Sequence, residues 1–267
     1  MIKLKEVLKE QELLEFLMNN FEYSHKKIKS LLKNGLVLVD ERIVTQYNYL
    51  LKKGQIVKIN KYNKSKEIDI IYEDKNIIVV DKTYNMLTIS DGKSNTTLYN
   101  LVSDYVKKDN KKNKIFIIHR LDKDTSGLVI FAKNERIKKL YQANWYKFTR
   151  KYMAIVVGKT KDQDTLKNYL KENSKHYVYV SDKGDLAITE YKKIKENDKY
   201  TWLDINIKTG KKNQIRVQLA YNKTPILGDI KYGNNKYKRL CLHAYELIAI
   251  DPLTNKEMIF KSNVKEF

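Results

Sequence analysis

Cysteine, proline and glycine are scarce in this 267-residue chain, which has one, two and nine of them. The single cysteine, Cys241, excludes an intrachain disulfide and a cysteine-based zinc site. The sequence also lacks the run of about 20 apolar residues that a bilayer-spanning helix needs. Charges interrupt the apolar residues of the first 21 positions, unlike the continuous apolar segment of a signal peptide. We therefore expect a cytoplasmic protein without a membrane partner.

Acidic residues are also in deficit, since 32 Asp and Glu stand against 53 Lys and Arg and give a formal net charge of +21. Such a charge concerns partners rather than fold, and nucleic acid is the first candidate, ahead of an anionic membrane. Only six of the basic residues are arginine, so each is a candidate for a contact that needs a rigid fork of donors. The hydrophobic fraction of 42% is sufficient for a packed interior.

The first 60 residues predict a small helix–helix–strand unit. Apolar residues at helical spacing predict a helix over 6–18, and Ser24 is a suitable N-cap for a second helix that ends at Gly35. Lys26, Lys29 and Lys33 fall on the outer face of this second helix, either as a solvated surface or as an RNA contact. The polar stretch 60–67 is typical of a linker, so we predict domains at 1–62 and 63–267.

In the larger part, strand patterns dominate and helical patterns are irregularly interspersed, unlike the strict alternation of a doubly wound fold. Helices are predicted around 98–106 and 134–146, where apolar residues recur in phase, and a short helix is predicted around 213–222. The polar segment 160–190 does not favour either type of element.

One polar stretch, HRLDKDTSG at residues 119–127, lies between two apolar runs. Asp122 could accept hydrogen bonds within its own turn, ligate a metal together with Asp124, or act as a lone catalytic carboxylate beside Arg120. Residues i and i+2 of an extended segment point to opposite sides, which argues against the metal pair. The residues alone favour the structural role.

The same stretch resembles the H-R-L-D-x-x-T-S-G signature of the RluA-type pseudouridine synthases, which isomerise uridines in RNA. Four further blocks between residues 68 and 262 resemble that family: IDIIYEDKNIIVVDK, RKYMAIVVG, KTGKKNQIRVQLAYNKTPILGDIKYG and LCLHAYELIAIDPLTNKEMIFKS. Residues 10–60 resemble a small RNA-binding module that some ribosomal proteins also contain. The resemblance implies an α+β protein, with a mixed, mostly antiparallel sheet domain flanked by helices and a small N-terminal α/β RNA-binding module.

The resemblance also implies the site. Asp122 becomes the catalytic carboxylate, Arg216 its cationic partner, and Tyr152 a ring for stacking with a hydroxyl for proton transfer. Without it, Arg216 could equally bind a phosphate or cap a helix, and Tyr152 could be an ordinary strand aromatic. Arg120, His119 and Thr125 are expected as substrate contacts, together with the three lysines of the second helix. Asp229 is expected to fix a turn.

The family reaction uses no cofactor and no metal, so we expect neither. Large-subunit ribosomal RNA is the expected substrate and transfer RNA the alternative, with a monomeric enzyme. A catalytically silent RNA-binding or ribosome-assembly protein would explain the charge and the first module equally well. A nuclease that uses Asp122 and Asp124 with a metal is a further alternative.

The chain departs from the family pattern at three places. Thr83-Tyr84-Asn85 replaces a usual Pro-Ala-Gly, Lys211-Lys212-Asn213 replaces a common Arg-Thr-His, and Lys223 replaces a common Gly. These departures concern substrate identity more than the reaction, because Asp122, Tyr152 and Arg216 are all present.

Overall fold

The computed structural model describes residues 3–33, 35–59, 68–92, 96–264 and 267. The chain folds into two compact units, Met1–Lys66 and Glu67–Phe267. The predicted linker at 60–67, and with it the predicted boundary after residue 62, lies outside the described residues.

The first unit is a small α/β module built around one apolar core. Its sheet has the order β1-β6-β3-β4, and β2 pairs with β5. The elements are β1 (Lys3–Glu6), β2 (Gln11–Glu12), α1 (Leu13–Asn20), α2 (His25–Lys33), β3 (Val37–Val39), β4 (Arg42–Ile43), β5 (Leu50–Leu51) and β6 (Ile56–Ile59).

The helix predicted over 6–18 is wrong at its start, because α1 begins only at Leu13. Residues 3–6 instead form β1, which pairs antiparallel with β6, and the Val7 amide continues this contact by donating to the Gln55 carbonyl at 2.9 Å. Val7 is fully buried in the core of the unit. An apolar residue at helical spacing can thus be buried equally well from a strand, since only the pairing partner decides between the two.

Helix α2 separates an apolar face from a basic one, as its sequence pattern predicts. Ile28, Leu31 and Leu32 are buried against the core of the unit. The Ser24 hydroxyl accepts from the Lys27 amide at 3.3 Å, which confirms the predicted cap. The lysines of the opposite side are exposed, and we call them the α2 basic face: Lys26, Lys29 and Lys33.

The second unit is built on one large sheet with helices packed on it. Its elements are β7 (Asp69–Glu73), β8 (Ile77–Lys82), α3 (Leu98–Val106), β9 (Phe116–Ile117), β10 (Ser126–Ala132), α4 (Glu135–Ala143), a short 3-10 turn (Trp145–Lys147), β11 (Thr149–Val157), β12 (Gln163–Glu172), β13 (Val178–Ser181), β14 (Asp185–Glu196), β15 (Tyr200–Ile207), α5 (Gln214–Tyr221), β16 (Leu242–Ile250) and β17 (Glu257–Lys261).

The strands follow the order β13-β12-β14-β15-β11-β16-β10-β8-β7, with β9 paired to β10 and β17 to β16. Among the described strand pairs, β10 with β16 is the parallel one and the others are antiparallel. This confirms the predicted mixed, mostly antiparallel sheet. The segment 160–190, which the sequence left unassigned, forms β12, β13 and the start of β14.

Strand β10 lies in the middle of the sheet and is buried along its whole length. Its side chains alternate between two cores, so Val129 and Phe131 pack on the side of α3 and α5, and Leu128 and Ile130 pack on the side of α4. This explains why its sequence, SGLVIFA, is continuously apolar beyond the first two residues.

Within the described ranges, no helix combines the length and the apolar character that a bilayer crossing requires.

Gly127 allows β10 to begin where it does. Its φ is +117°, and a Cβ at this position would lie 2.2 Å from the Ala244 carbonyl oxygen of β16. Only glycine permits so close a parallel approach of two backbones. The close pairing of β10 with β16 therefore starts directly after the polar loop 119–126 and places that loop at the end of the central strands.

Candidate active site

Asp122 lies in the loop between β9 and β10, and backbone contacts hold this loop in place. The Thr88 hydroxyl accepts from the Leu121 amide at 3.2 Å and donates to the Leu121 carbonyl at 2.9 Å. The Met86 amide donates to the Lys123 carbonyl at 3.0 Å. Both residues that flank Asp122 are therefore fixed, while its side chain remains 31% exposed.

Lys82, the last residue of β8, supports the same loop from below. Its ammonium group is fully buried and donates to the carbonyl oxygens of Met86 at 2.8 Å, Thr83 at 3.2 Å and Lys123 at 3.2 Å. Burial lowers the pKa of Lys82 to about 7, although the charges of Asp122 and Asp124 oppose this shift. Sequence reasoning missed Lys82, and the available signal was a lysine at the end of the apolar strand IIVVDK.

Arg216 lies on α5 with its guanidinium buried between two carboxylates. Its Nη1 is 3.7 Å from Asp122 Oδ2, an ion-pair distance without a direct hydrogen bond. Its Nε and Nη2 each donate to Asp229 at 2.8 Å in a bidentate pair. Burial by itself lowers the pKa of Arg216, but the hydrogen bonds and charge of Asp229, with the charges of Asp122 and Asp124, raise it above its ordinary value.

Asp229 has a second role besides fixing the turn that the sequence predicts for it. It does fix the turn, because its Oδ1 accepts from the amides of Lys231 at 3.0 Å and Tyr232 at 3.1 Å. The same carboxylate is also the hydrogen-bonded partner of Arg216, a position that the family resemblance gave to Asp122. Asp122 lies farther from the Arg216 guanidinium than Asp229 does, and its side chain is more exposed to solvent.

Two glutamines fix the orientation of α5. Gln214 Nε2 donates to the Ile188 carbonyl at 3.0 Å, and Gln218 Nε2 donates to the carbonyls of Leu166 at 3.0 Å and Ala187 at 3.1 Å. Gln214 and Gln218 are four residues apart and therefore lie on the same face of α5. Arg216, two residues from each of them, lies on the opposite face. Since the glutamines bind β12 and β14, Arg216 faces the Asp122 loop.

Asn213 directly contacts Asp122, a role for which the sequence signalled only a departure from the family pattern. Its amide Nδ2 donates to Asp122 Oδ2 at 2.5 Å. Its Oδ1 accepts from the Tyr232 hydroxyl at 3.0 Å and lies 3.4 Å from Lys231 Nζ. Asn213 precedes α5 with a left-handed backbone, φ 53°.

Tyr152 lies on β11 between β15 and β16, and its side chain is largely buried. Burial raises the pKa of Tyr152 to about 12, with Arg150 opposing the shift and Asp122 adding to it. The hydroxyl therefore keeps its proton at neutral pH and can donate a hydrogen bond.

A cavity of about 550 Å³ opens at this loop. Its wall combines the Asp122–Asn213–Arg216 group with further cationic and aromatic side chains, among them Tyr84, Lys123, Lys231, Tyr237, Lys238 and Arg239. Arg239 lies on the face of Tyr84, with its Cζ 4.6 Å from the ring centroid. A cavity of this size and positive lining suits one nucleotide with its phosphates.

The other predicted substrate contacts lie outside this wall. The His119 ring stacks on Trp145 with centroids 4.3 Å apart, and its Nε2 accepts from the Ile130 amide at 3.2 Å. Burial lowers the pKa of His119 to about 3, so it is neutral. Thr125 is buried and Arg120 is exposed. The α2 basic face belongs to the first unit. In the described part of the chain, no group of three or more His, Cys, Asp or Glu residues could hold a metal ion.

Comparison with known proteins assigns the second unit to one family model. The model for RNA pseudouridylate synthase matches residues 76–221, which include Asp122, Tyr152 and Arg216.

Curated relatives extend the match over most of the chain. The ribosomal large subunit pseudouridine synthase D of Buchnera aphidicola is 31% identical over 258 residues, covering 85% of this chain and 81% of that protein. The protein of the same name from Borreliella burgdorferi is 38% identical over 216 residues, covering 75% of this chain and 65% of that protein.

Solved structures show the same fold. Human RNA pseudouridylate synthase domain containing 4 superposes with a TM-score of 0.63 at 21% identity, over 73% of this chain and 88% of that one. Human RNA pseudouridylate synthase domain containing 1 gives a TM-score of 0.62 at 18% identity, over 74% and 84%.

Proposed function

This chain belongs to the RNA pseudouridylate synthase family, and we propose that it isomerises uridine in large-subunit ribosomal RNA with Asp122 as its catalytic carboxylate. Isomerisation of uridine to pseudouridine is the activity of the family. The ribosomal target rests on the names of the curated relatives, and transfer RNA is the alternative substrate. The observation that supports the role of Asp122 is its position at the cavity, 3.7 Å from the Arg216 guanidinium.

The reaction breaks the N1–C1′ bond of uridine, turns the uracil and forms a C5–C1′ bond, so no atom is gained and only the hydrogen of C5 is exchanged. It requires an ionised carboxylate that acts on the sugar or the base and then leaves. Arg216 supplies a positive charge at ion-pair distance from the Asp122 carboxylate. A carboxylate beside the sugar can stabilise or capture the electron-poor carbon that forms when the glycosidic bond breaks.

Tyr152 completes the site in this proposal. Its ring gives the displaced uracil a flat surface, and its hydroxyl, protonated at neutral pH, serves proton transfer at the base.

RNA must bind over a wide surface, because the uridine has to leave its stack at a cost of a few kcal/mol. The net charge of +21 supplies phosphate attraction, and the α2 basic face offers one exposed patch of it. In this proposal Arg120, which is exposed and lies in the same loop as Asp122, occupies the space that the base vacates or clamps adjacent phosphates. The proposal takes the enzyme as a cytoplasmic monomer.

The test of this function replaces the carboxylate with its neutral amide. Asp122→Asn keeps the shape of the side chain but makes it a poor nucleophile and base. Release of tritium from RNA that contains [5-³H]uridine should fall below detection, while RNA affinity stays within about tenfold, or about 1.4 kcal/mol. A folded variant that releases tritium at the wild-type rate would exclude Asp122 as the catalytic group.

The RNA target needs a separate measurement. Base-resolution pseudouridine mapping of total RNA from cells with and without the protein should show sites that disappear from large-subunit ribosomal RNA. Loss of sites from transfer RNA alone would replace the proposed target. A wild-type protein that binds RNA tightly and releases tritium from no cellular RNA would instead be a silent RNA-binding protein.

A further inference from the structure

The two oxygens of the Asp122 carboxylate have different surroundings. Oδ2 accepts the bond from Asn213 Nδ2 at 2.5 Å and faces Arg216 Nη1 at 3.7 Å. Oδ1 forms no hydrogen bond with any residue that the structure describes. Asn213 and Arg216 therefore both act on Oδ2, and Oδ1 remains available to a molecule bound in the cavity.

The amide of Asn213 has only one orientation that fits its neighbours. The Tyr232 hydroxyl donates to it at 3.0 Å, and Lys231 Nζ, which has only donors, lies 3.4 Å away on the same side. The atom facing them must be the amide oxygen, so the Nδ2 group faces Asp122. A carboxylate accepts from this group in its ionised form.

The backbone of Asn213 is also fixed. Its φ of 53° is left-handed, a conformation that asparagine tolerates better than most residues. Gln214 holds the preceding turn, because its Oε1 accepts from the Lys211 amide at 3.0 Å and from the Thr209 hydroxyl at 2.8 Å. The side chain of Asn213 therefore reaches Asp122 from a backbone with little freedom.

We propose that Asn213 is a positioning residue that holds the Asp122 carboxylate in one rotation through its bond to Oδ2 and leaves Oδ1 as the reacting oxygen. The inference rests on the proposed catalytic role of Asp122. Tyr232 acts on Asp122 indirectly, because its hydroxyl fixes the orientation of the Asn213 amide.

The test removes the amide and keeps the backbone. Asn213→Gly deletes the side chain at a left-handed position where glycine is unstrained. The matched control is Asn255→Gly, at a left-handed residue with φ 57° in the turn between β16 and β17. Because Asn213→Gly leaves the Asp122 carboxylate free to rotate away from its reacting geometry, the single-turnover rate of tritium release should fall by about tenfold or more. RNA affinity should stay within about twofold, and the control should match wild type in both.

A double-mutant cycle separates positioning from a general effect on folding. Tyr232→Phe keeps the ring that lies under Arg216 and removes the bond to Asn213, together with the bond that the hydroxyl accepts from the Val178 amide at 3.3 Å. It should slow single turnover in the wild-type background and have little further effect in the Asn213→Gly background. If Asn213→Gly does not fold, slower turnover by folded Tyr232→Phe supports the inference and a wild-type rate overturns it.

Two results overturn the inference in different ways. A wild-type rate in folded Asn213→Gly, with Asp122→Asn inactive, removes the positioning role and leaves the proposed function intact. Equal slowing by Asn213→Gly and Asn255→Gly also removes it, because the loss would then belong to the substitution and not to the contact. A wild-type rate in folded Asp122→Asn excludes Asp122 as the catalytic carboxylate, and the positioning role of Asn213 falls with it.

Discussion

Replacing Asp229 with asparagine should destabilise the second unit strongly, because it leaves a buried guanidinium without its charge partner. In the wild-type protein Arg216 Nε and Nη2 each donate to Asp229 at 2.8 Å, and both side chains are almost fully buried. Asp229→Asn keeps the shape but presents an NH₂ group to one of these donors. It also weakens the turn at Lys231 and Tyr232, whose amides donate to Asp229 Oδ1.

The size of the expected loss in stability follows from the burial of the Arg216–Asp229 pair. Removing one partner of a buried ion pair costs about 3–5 kcal/mol, since the remaining charge cannot be solvated. For a unit of this size, each kcal/mol lowers the melting temperature by about 2–4 °C. We expect a loss of about 6–20 °C. Turnover should also fall, because Asp229 holds the guanidinium that faces Asp122.

Glu246→Gln is the matched control. Glu246 also pairs with two cations, Lys151 and Lys261, each at 3.2 Å, but these lysines are 33% and 68% exposed and can be solvated when the carboxylate is neutralised. Glu246→Gln should lower the free energy of unfolding by about 1 kcal/mol or less. Urea unfolding and tritium release would be measured for both variants. A difference of less than about 1 kcal/mol between them would refute the reasoning that the Arg216–Asp229 pair is a buried, charge-dependent contact.

Three further predictions concern Lys82, Tyr152 and the N-terminal unit. Burial lowers the pKa of Lys82 to about 7, while an unfolded lysine titrates near 10.5, so between these values the unfolded chain binds more protons and the free energy of unfolding rises with pH. Lys82→Met should remove about 2 kcal/mol of this rise between pH 7 and pH 9, and equal slopes in urea unfolding would contradict the burial argument. Tyr152→Phe should keep RNA binding and slow turnover, and an unchanged single-turnover rate would show that the hydroxyl is not used. A fragment beginning near Lys66 should fold and bind RNA more weakly at matched salt, because it lacks the α2 basic face; equal affinity would remove that face from RNA binding.

The sequence alone predicted the elements whose apolar residues repeat with one clear period. Helices α2, α3 and α4 lie where their patterns place them, and α5 lies where a short helix is predicted. It also predicted β10, because burial on both faces requires a continuous apolar run. The resemblance of residues 119–127 indicated the family, which the comparisons confirm.

Other elements depended on pairings that a local pattern does not contain. Strand β12 buries Leu166 and Leu170, with polar residues between them, and its hydrogen bonds are with β13 and β14. Its pattern of sparse apolar residues is compatible with a loop until a partner strand is present. Residues 3–6 became a strand for the same reason, since β6 lies about 50 positions further along the chain.

The site divides in the same way. The family resemblance indicated Asp122 and Arg216 as partners, but the sequence did not indicate that Asp229 binds the guanidinium directly. That choice follows from the two glutamines that fix α5 on β12 and β14, and from the turn that brings Asp229 within 2.8 Å while Asp122 stays at 3.7 Å. Hydrogen bonds and ion pairs change from strong to weak within 1 Å, and distances of that order are set by packing between residues far apart in the sequence.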